Sequence, residues 1–319
     1  MDASGAALCA GNDGVAAAPV MQLYNSSDAT FQSAFGDDIV YVITHYSGAP
    51  GTPCAGNTTN RVYALKASTG AIYTGPHWPI NVNGSVLLDY GSQACTLHYG
   101  SDDGDPLNNT LYCGTAQSSS APPYQHSVHV FNSITGAKKW GRNIGSVVTS
   151  PQLRNGRVYA VGSATLYALD ANHSGATIWS QTLATTVTKT PWVETRSAGG
   201  FNNYVFLTDG NNVDAVLDQG ATPSVSSSVA GGSTITTAPA FANVPGKVYV
   251  GMADGTIHQL DFSGGRFSDL SDAILGSGPV NSDIALDALG TGAININSLT
   301  AFQGAALLRY AVPWPFLCK

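Results

Sequence analysis

Residues 156–179, GRVYAVGSATLYALDANHSGATIW, carry three short apolar runs broken by small polar turns. The first is Arg157-Val158-Tyr159-Ala160-Val161, the second Thr165-Leu166-Tyr167-Ala168-Leu169, and the third ends on Trp179. Runs of this length separated by Gly, Asn, Asp and Ser predict consecutive antiparallel hairpins. One such unit cannot bury both of its faces, so it needs neighbours of its own kind. The middle run recurs at Val62-Tyr63-Ala64-Leu65, Val128-His129-Val130-Phe131, Val213-Asp214-Ala215-Val216, Ile257-His258-Gln259-Leu260 and Leu299-Thr300-Ala301-Phe302, which makes six copies in all. After a first interval that carries an insertion, the spacing is close to the ~40 to 45 residues of a four-stranded blade.

The pattern V-Y-V, then G-x-L-Y-A-L-D-A, then a distal Trp resembles the repeat of the β-propellers related to pyrroloquinoline quinone enzymes, a superfamily with many cofactor-free members. The match is best at 158–179 and extends to 61–73, 128–140 and 247–261. The resemblance implies an all-β chain forming a single β-propeller of about six four-stranded blades, seven if the N-terminal region supplies more than one strand. It specifies fold far better than function. Quinone dehydrogenases with this repeat use more blades, an adjacent Cys-Cys pair, a calcium held by Glu and Asn, and a catalytic Asp. The chain has no Cys-Cys and is too short for eight blades. The resemblance therefore implies the branch without the quinone.

Composition narrows the function classes. Only 10% of the residues are charged and 36 are Gly, which suits strands joined by tight turns under a polar surface of hydroxyls and amides. A net charge of −7 with 13 basic residues and no basic run excludes a phosphate-backbone partner, so no nucleic acid is expected. No apolar run approaches the ~20 residues that span a bilayer. The start, Met1-Asp2-Ala3-Ser4-Gly5, has neither the basic head nor the apolar middle of a secretory signal.

Along the chain, residues 1–30 form an N-terminal segment whose apolar stretch, Pro19-Val20-Met21-Gln22-Leu23-Tyr24, is expected to complete the last blade, and residues 31–319 form the propeller. First-blade strands are expected at 38–44, 61–65 and 71–74, with Gly75-Pro76-His77-Trp78-Pro79 a loop pinned by its aromatic side chain. The second blade has strand signals at 85–90, 94–99, 110–115 and 127–131, and the last at 283–287, 293–297, 299–302 and 306–312. Insertions at 46–60, 100–109 and 116–125 are where binding function gathers on a regular scaffold. Ser150-Pro151, Thr190-Pro191 and Ala238-Pro239 mark one recurring place, the head of a strand that needs no N–H there.

Five cysteines, Cys9, Cys54, Cys95, Cys113 and Cys318, contain no C-x-x-C, so zinc-knuckle, thioredoxin-like and haem-attachment motifs are absent. Cys95 and Cys113 fall on adjacent expected strands, which predicts a cross-strand disulfide. Cys9 and Cys318 stand near opposite ends, which a closed ring brings together; Cys9 with Cys54 is the rival pairing. Disulfides place a protein in an oxidising compartment, so an extracytoplasmic location (periplasm, secreted or cell surface) is expected.

Asp102, Asp103 and Asp105, with Asn108 and Asn109, gather the hard oxygen ligands calcium prefers, though without EF-hand spacing. Three apart on a strand, His126 and His129 are expected on opposite faces, and His129 and His258 take the place of Tyr63 and Tyr167. His45, His77 and His98 lie near insertions. Glycosylation sequons stand at Asn25, Asn57, Asn83, Asn108 and Asn172. No G-x-S-x-G or H-E-x-x-H motif is present. The expected function is a non-catalytic, extracytoplasmic module that binds or scaffolds protein partners through loop-lined rims, with carbohydrate as a further ligand class. The alternatives are a subunit covering a partner's redox cofactors, and an enzyme acting on a small molecule or sugar in the channel.

Overall fold

A computed structural model describes residues 13–15, 19–23, 34–46, 60–82, 95–98, 109–115, 126–196, 202–230, 232–242, 246–274, 278–288, 296–303 and 306–311. They form six sheets in chain order. Two compact units, Met1–Ser180 and Gln181–Lys319, carry three sheets each.

In the first unit, β1 (Asp13–Val15), β2 (Val20–Gln22), β3 (Ile39–Tyr46), β4 (Asn60–Lys66) and β5 (Ile80–Val82) make one sheet. The next holds β6 (Cys95–His98), β7 (Thr110–Gly114), β8 (Val128–Asn132) and β9 (Lys138–Arg142). The third holds β10 (Gln152–Arg154), β11 (Arg157–Gly162), β12 (Thr165–Asp170) and β13 (Ala176–Thr182). The second unit follows with β14 (Trp192–Arg196), β15 (Asn202–Asp209), β16 (Asn212–Asp218) and β17 (Pro223–Ala230), then β18 (Ala240–Ala242), β19 (Lys247–Gly251), β20 (Thr256–Ser263) and β21 (Arg266–Ile274). Its last sheet is β22 (Ala285–Ala288), β23 (Ile296–Gln303) and β24 (Ala306–Ala311). Within each sheet every strand pairs with the next in sequence, except that β1 and β2 both pair with β3.

The repeat has a packing logic. Five copies of the apolar quartet fall on the third strand of their sheets, at β4, β8, β12, β16 and β20. Small residues on three of those strands face large ones on the second: Ala64 pairs with Tyr41, Ala168 with Tyr159 and Ala215 with Phe206. All six are buried, so a small side chain leaves the volume that its aromatic partner fills. Within each unit the apolar faces of consecutive sheets merge into separate cores. One gathers Ile39, Tyr41, Val62, Leu111 and Phe131, the next Tyr112, Val130, Val147, Val158 and Leu169. In the second unit, Phe206, Phe241, Val248 and Phe262 form one and Tyr249, Ile257, Val280 and Ile284 another.

The segments leading into each first strand are held by the neighbouring hairpins. Val147 N–H donates to the Thr115 carbonyl at 2.8 Å, and Ser163 N–H to the Ser146 carbonyl at 2.8 Å. These segments pass so close that only glycine fits the end of the second strand. A Cβ on Gly162 would stand 1.9 Å from the Ile144 carbonyl oxygen, one on Gly114 2.5 Å from Val147 Cγ1, and one on Gly251 2.6 Å from Val280 Cγ1. In the fourth sheet Asp209 stands at the hairpin end and accepts from Ala184 N–H at 2.5 Å and Thr185 N–H at 2.6 Å.

Four expectations are corrected. Val20–Gln22 does not complete the last blade; it pairs with Ile39–Tyr41 in the first sheet. Gln22 is a buried polar side chain and needs partners. It finds them in Tyr41 Oη at 2.8 Å, Ser133 Oγ at 3.0 Å and Asn109 Oδ1 at 2.5 Å. The copy at Leu299 to Phe302 lies on the second described strand of its sheet, and β24 takes the third place. An apolar quartet of period two looks alike on either strand. The stretches read separately as 293–297 and 299–302 meet in the single strand β23. Residues 71–74 meet β4 at the Leu65–Ile72 bridge, through Lys66 N–H to the Ala71 carbonyl at 2.9 Å and through Tyr73 N–H to the Ala64 carbonyl at 2.8 Å, without forming a strand; β5 supplies the fourth strand. Pro76 and Pro79 bring no N–H, so the ladder breaks before it resumes at Ile80. The strand signal at 85–90 lies outside the described residues.

Candidate functional site

The segment joining β4 to β5 is anchored through Trp78. Its ring stacks on Tyr41 with centroids 5.6 Å apart, and its Nε1–H donates to the Ile134 carbonyl of the second sheet at 2.9 Å. The receiving turn is pre-shaped: Asn132 Oδ1 accepts from Ile134 N–H at 2.9 Å and Thr135 N–H at 2.8 Å, and Gly136 turns the chain with φ of 74°. A Cβ at Gly136 would lie 3.0 Å from the His77 carbonyl oxygen, so the loop rests on the turn.

This docking leaves an open groove of about 580 Å³ between the first two sheets, lined by Arg61, Pro76, His77, Trp78, Pro79, Ile80, Phe131, Gly136 and Lys138. Arg61 on β4 and Lys138 on β9 put two basic side chains on it, burial lowering the Lys138 pKa, and among the described residues no carboxylate lines it. Residues 60–82 and 126–142 contain five of the 13 basic residues (Arg61, Lys66, Lys138, Lys139 and Arg142) and no Asp or Glu. In an acidic chain, that is the electrostatic signature sequence reading missed. Arg61 and Lys138 meet only because two sheets stack.

Beside the groove, His129 on β8 is 1% exposed. Burial, the Lys138 ammonium and His126 pull its pKa down to about 3, so the ring is neutral at physiological pH. One ring nitrogen, Nε2, lies 3.4 Å from Thr115 Oγ1. The expectation that His126 and His129 point apart is corrected: their ring centroids are 6.2 Å apart. His126 precedes β8, which begins at Val128, so strand alternation does not govern it. Burial also lowers the His126 pKa, with Lys138 adding to it.

The other expected sites fall in several places. Cys95 and Cys113 sit directly opposite each other on β6 and β7 and are joined by a disulfide. Asp102, Asp103, Asp105 and Asn108, together with Cys9, Cys54 and Cys318, lie outside the described residues, as does the His45 side chain. His77 lines the groove, His98 is half-buried on β6, and His258 is buried on β20. Asn172 stands exposed in the β12–β13 turn, where Asp170 accepts the Asn172 N–H at 2.9 Å. Among the described residues no three of His, Cys, Asp and Glu come together as a metal-holding group, and no helix is long and apolar enough to cross a membrane.

No family model matches the sequence, and no curated protein matches it. Solved structures do. BamB from Moraxella catarrhalis is 17% identical over 85% of this chain and 78% of its own, with a TM-score of 0.44. Sqt1 from Saccharomyces cerevisiae is 13% identical over 86% of this chain and 69% of its own, with a TM-score of 0.56. The likeness to Sqt1 is one of fold. Taken with six antiparallel sheets in chain order, it makes this chain a β-propeller.

Proposed function

We propose that the chain is a non-catalytic binding module of the cofactor-free, quinone-enzyme-like branch of propellers, working outside the cytoplasm. Its partner is a protein that seats in the groove between the first two sheets. The observation that carries this reading is the groove itself, an open concavity with cationic and apolar lining, held by a docked tryptophan and a shaped turn. A surface fixed in this way loses little conformational freedom on binding. The Cys95–Cys113 disulfide supports the oxidising compartment, and a Cys9–Cys318 bridge belongs to the same proposal.

The test is site-specific photo-cross-linking in the organism of origin, with the probe at His77 and a control probe at the exposed Val225. The reading expects one protein adduct at His77 and none at Val225. Equal labelling at both positions, or none at His77, refutes it.

A further inference from the structure

Tryptophan has a regular use in this fold. Trp78 and Trp140 are buried, and each gives its indole N–H to a carbonyl of the sheet that follows; Trp179 is buried beside Tyr159. Trp192 departs from that use. It stands on β14, the edge strand of its sheet, directly after Pro191, and is 42% exposed. Among the described residues no ring packs on its indole and no carbonyl takes its N–H. A single exposed apolar side chain needs no explanation. The group beside it does.

Two residues on is Glu194. Side chains alternate along a strand, so Trp192 and Glu194 share a face, about 6.6 Å apart along β14. Trp192 lies opposite the buried Phe206 and Glu194 opposite the buried Tyr204. Those two rings stack at 6.4 Å and belong to one core, so the pair has a fixed floor. Glu194 is only 9% exposed, yet among the described residues no donor bonds its carboxylate, and its oxygens are not sealed from solvent. A covered carboxylate must receive hydrogen bonds from somewhere. Here the donors come from whatever enters by that opening.

We propose that Trp192 and Glu194 form a subsite for a neutral hexopyranoside, with the sugar's C–H face on the indole and its vicinal hydroxyls shared between the indole N–H and the carboxylate. The pair offers an apolar ring face, one donor and one acceptor group. An apolar side chain would use the face and leave the carboxylate without a donor. A quaternary ammonium would use the face and the charge and leave the N–H without an acceptor. A hydroxyl donates and accepts, so a polyol ring satisfies all three at once. The subsite lies in the second unit and is independent of the groove and of the protein partner proposed for it.

The experiment uses the full chain and three neutral trisaccharides, cellotriose, maltotriose and mannotriose, followed by saturation-transfer NMR and calorimetric titration. At least one is expected to bind with a dissociation constant of about 1 mM or tighter. Trp192→Ala should weaken that binding at least about tenfold. Trp192→Phe, which keeps a ring face and loses the N–H, and Glu194→Gln, which keeps the shape and one acceptor, should each weaken it by about threefold to tenfold. Met21→Ala, at an exposed apolar position of the first unit, should leave it unchanged. Should Glu194→Gln fail to fold, the two variants at the exposed Trp192 decide alone.

Binding of none of the three sugars overturns the inference. Sugar binding that survives Trp192→Ala also overturns it, because the sugar then sits elsewhere. Tighter binding of tetramethylammonium or of N-acetylarginine amide than of every sugar, abolished by Glu194→Gln, overturns it in favour of a cationic ligand. The His77 cross-link reads a different surface, so either result stands without the other.

Discussion

Trp140 on β9 donates its indole Nε1–H to the Ala171 carbonyl at 3.2 Å, tying the last strand of the second sheet to the β12–β13 turn of the third. Trp78 makes the same reach from the first sheet to Ile134 of the second. Trp140→Phe should keep most of the packing and cost about 1 kcal/mol for the lost hydrogen bond. Trp140→Ala should cost about 3 to 5 kcal/mol, because it also opens a cavity. Urea unfolding of the two variants beside the parent checks the gap; equal losses would show that the indole body contributes nothing.

Glycine at the hairpin ends should be irreplaceable for a reason of space. At Gly162 an added Cβ would meet a backbone oxygen at 1.9 Å, whereas at Gly220, with φ of 93°, it would meet nothing within 4 Å. Gly220→Ala therefore carries only a backbone cost of roughly 1 kcal/mol. Gly162→Ala should cost about 3 kcal/mol, since Ile144 must move out of its packed place. Thermal melting points in that order confirm the account.

Acid should destabilise the protein well before its carboxylates titrate. His129 has a folded pKa of about 3, below the unfolded histidine value, so between about pH 6.5 and 3 the unfolded chain binds a proton that the folded chain does not. The stability from keeping this ring neutral is complete above about pH 6.5 and declines as pH falls, by roughly 1.4 kcal/mol per pH unit. His129→Gln should flatten the fall between pH 6.5 and 4.5, as measured by denaturant midpoints across that range.

Opening the Cys95–Cys113 bond should loosen the second sheet. The bond spans a sequence separation of 18, for which the loop-entropy model gives about 3 kcal/mol. A Cys95→Ser, Cys113→Ser double variant should lose about that much in urea. Adding reductant should cost the parent about that much more than it costs the variant, in which only the proposed Cys9–Cys318 bridge is left to open.

Much of the architecture was legible because short apolar runs such as Val158 to Val161 and Leu166 to Leu169 are bounded by turn residues, and because Pro151, Pro191 and Pro239 each stand one residue before a first strand. Legibility failed where one local pattern serves two positions, as with Leu299 to Phe302. It failed again where a polar residue decided the pairing, as Gln22 did for β2. The groove was least legible. His77 and Trp78 could be seen as a loop, but Arg61 and Lys138 are neighbours only through the stacking of two sheets. The one sequence trace of it is the lack of Asp and Glu around those cations.

The pairing of β2 with β3 has a consequence for biosynthesis. Since residues 19–23 join the strand that follows them, no described strand pairs outside its own contiguous stretch of chain. Each module can acquire all of its described strand partners as it emerges from the ribosome, with only loops local to that module to close. Truncated nascent chains should thus gain protease resistance in steps, each module once the next has emerged to share a core with it.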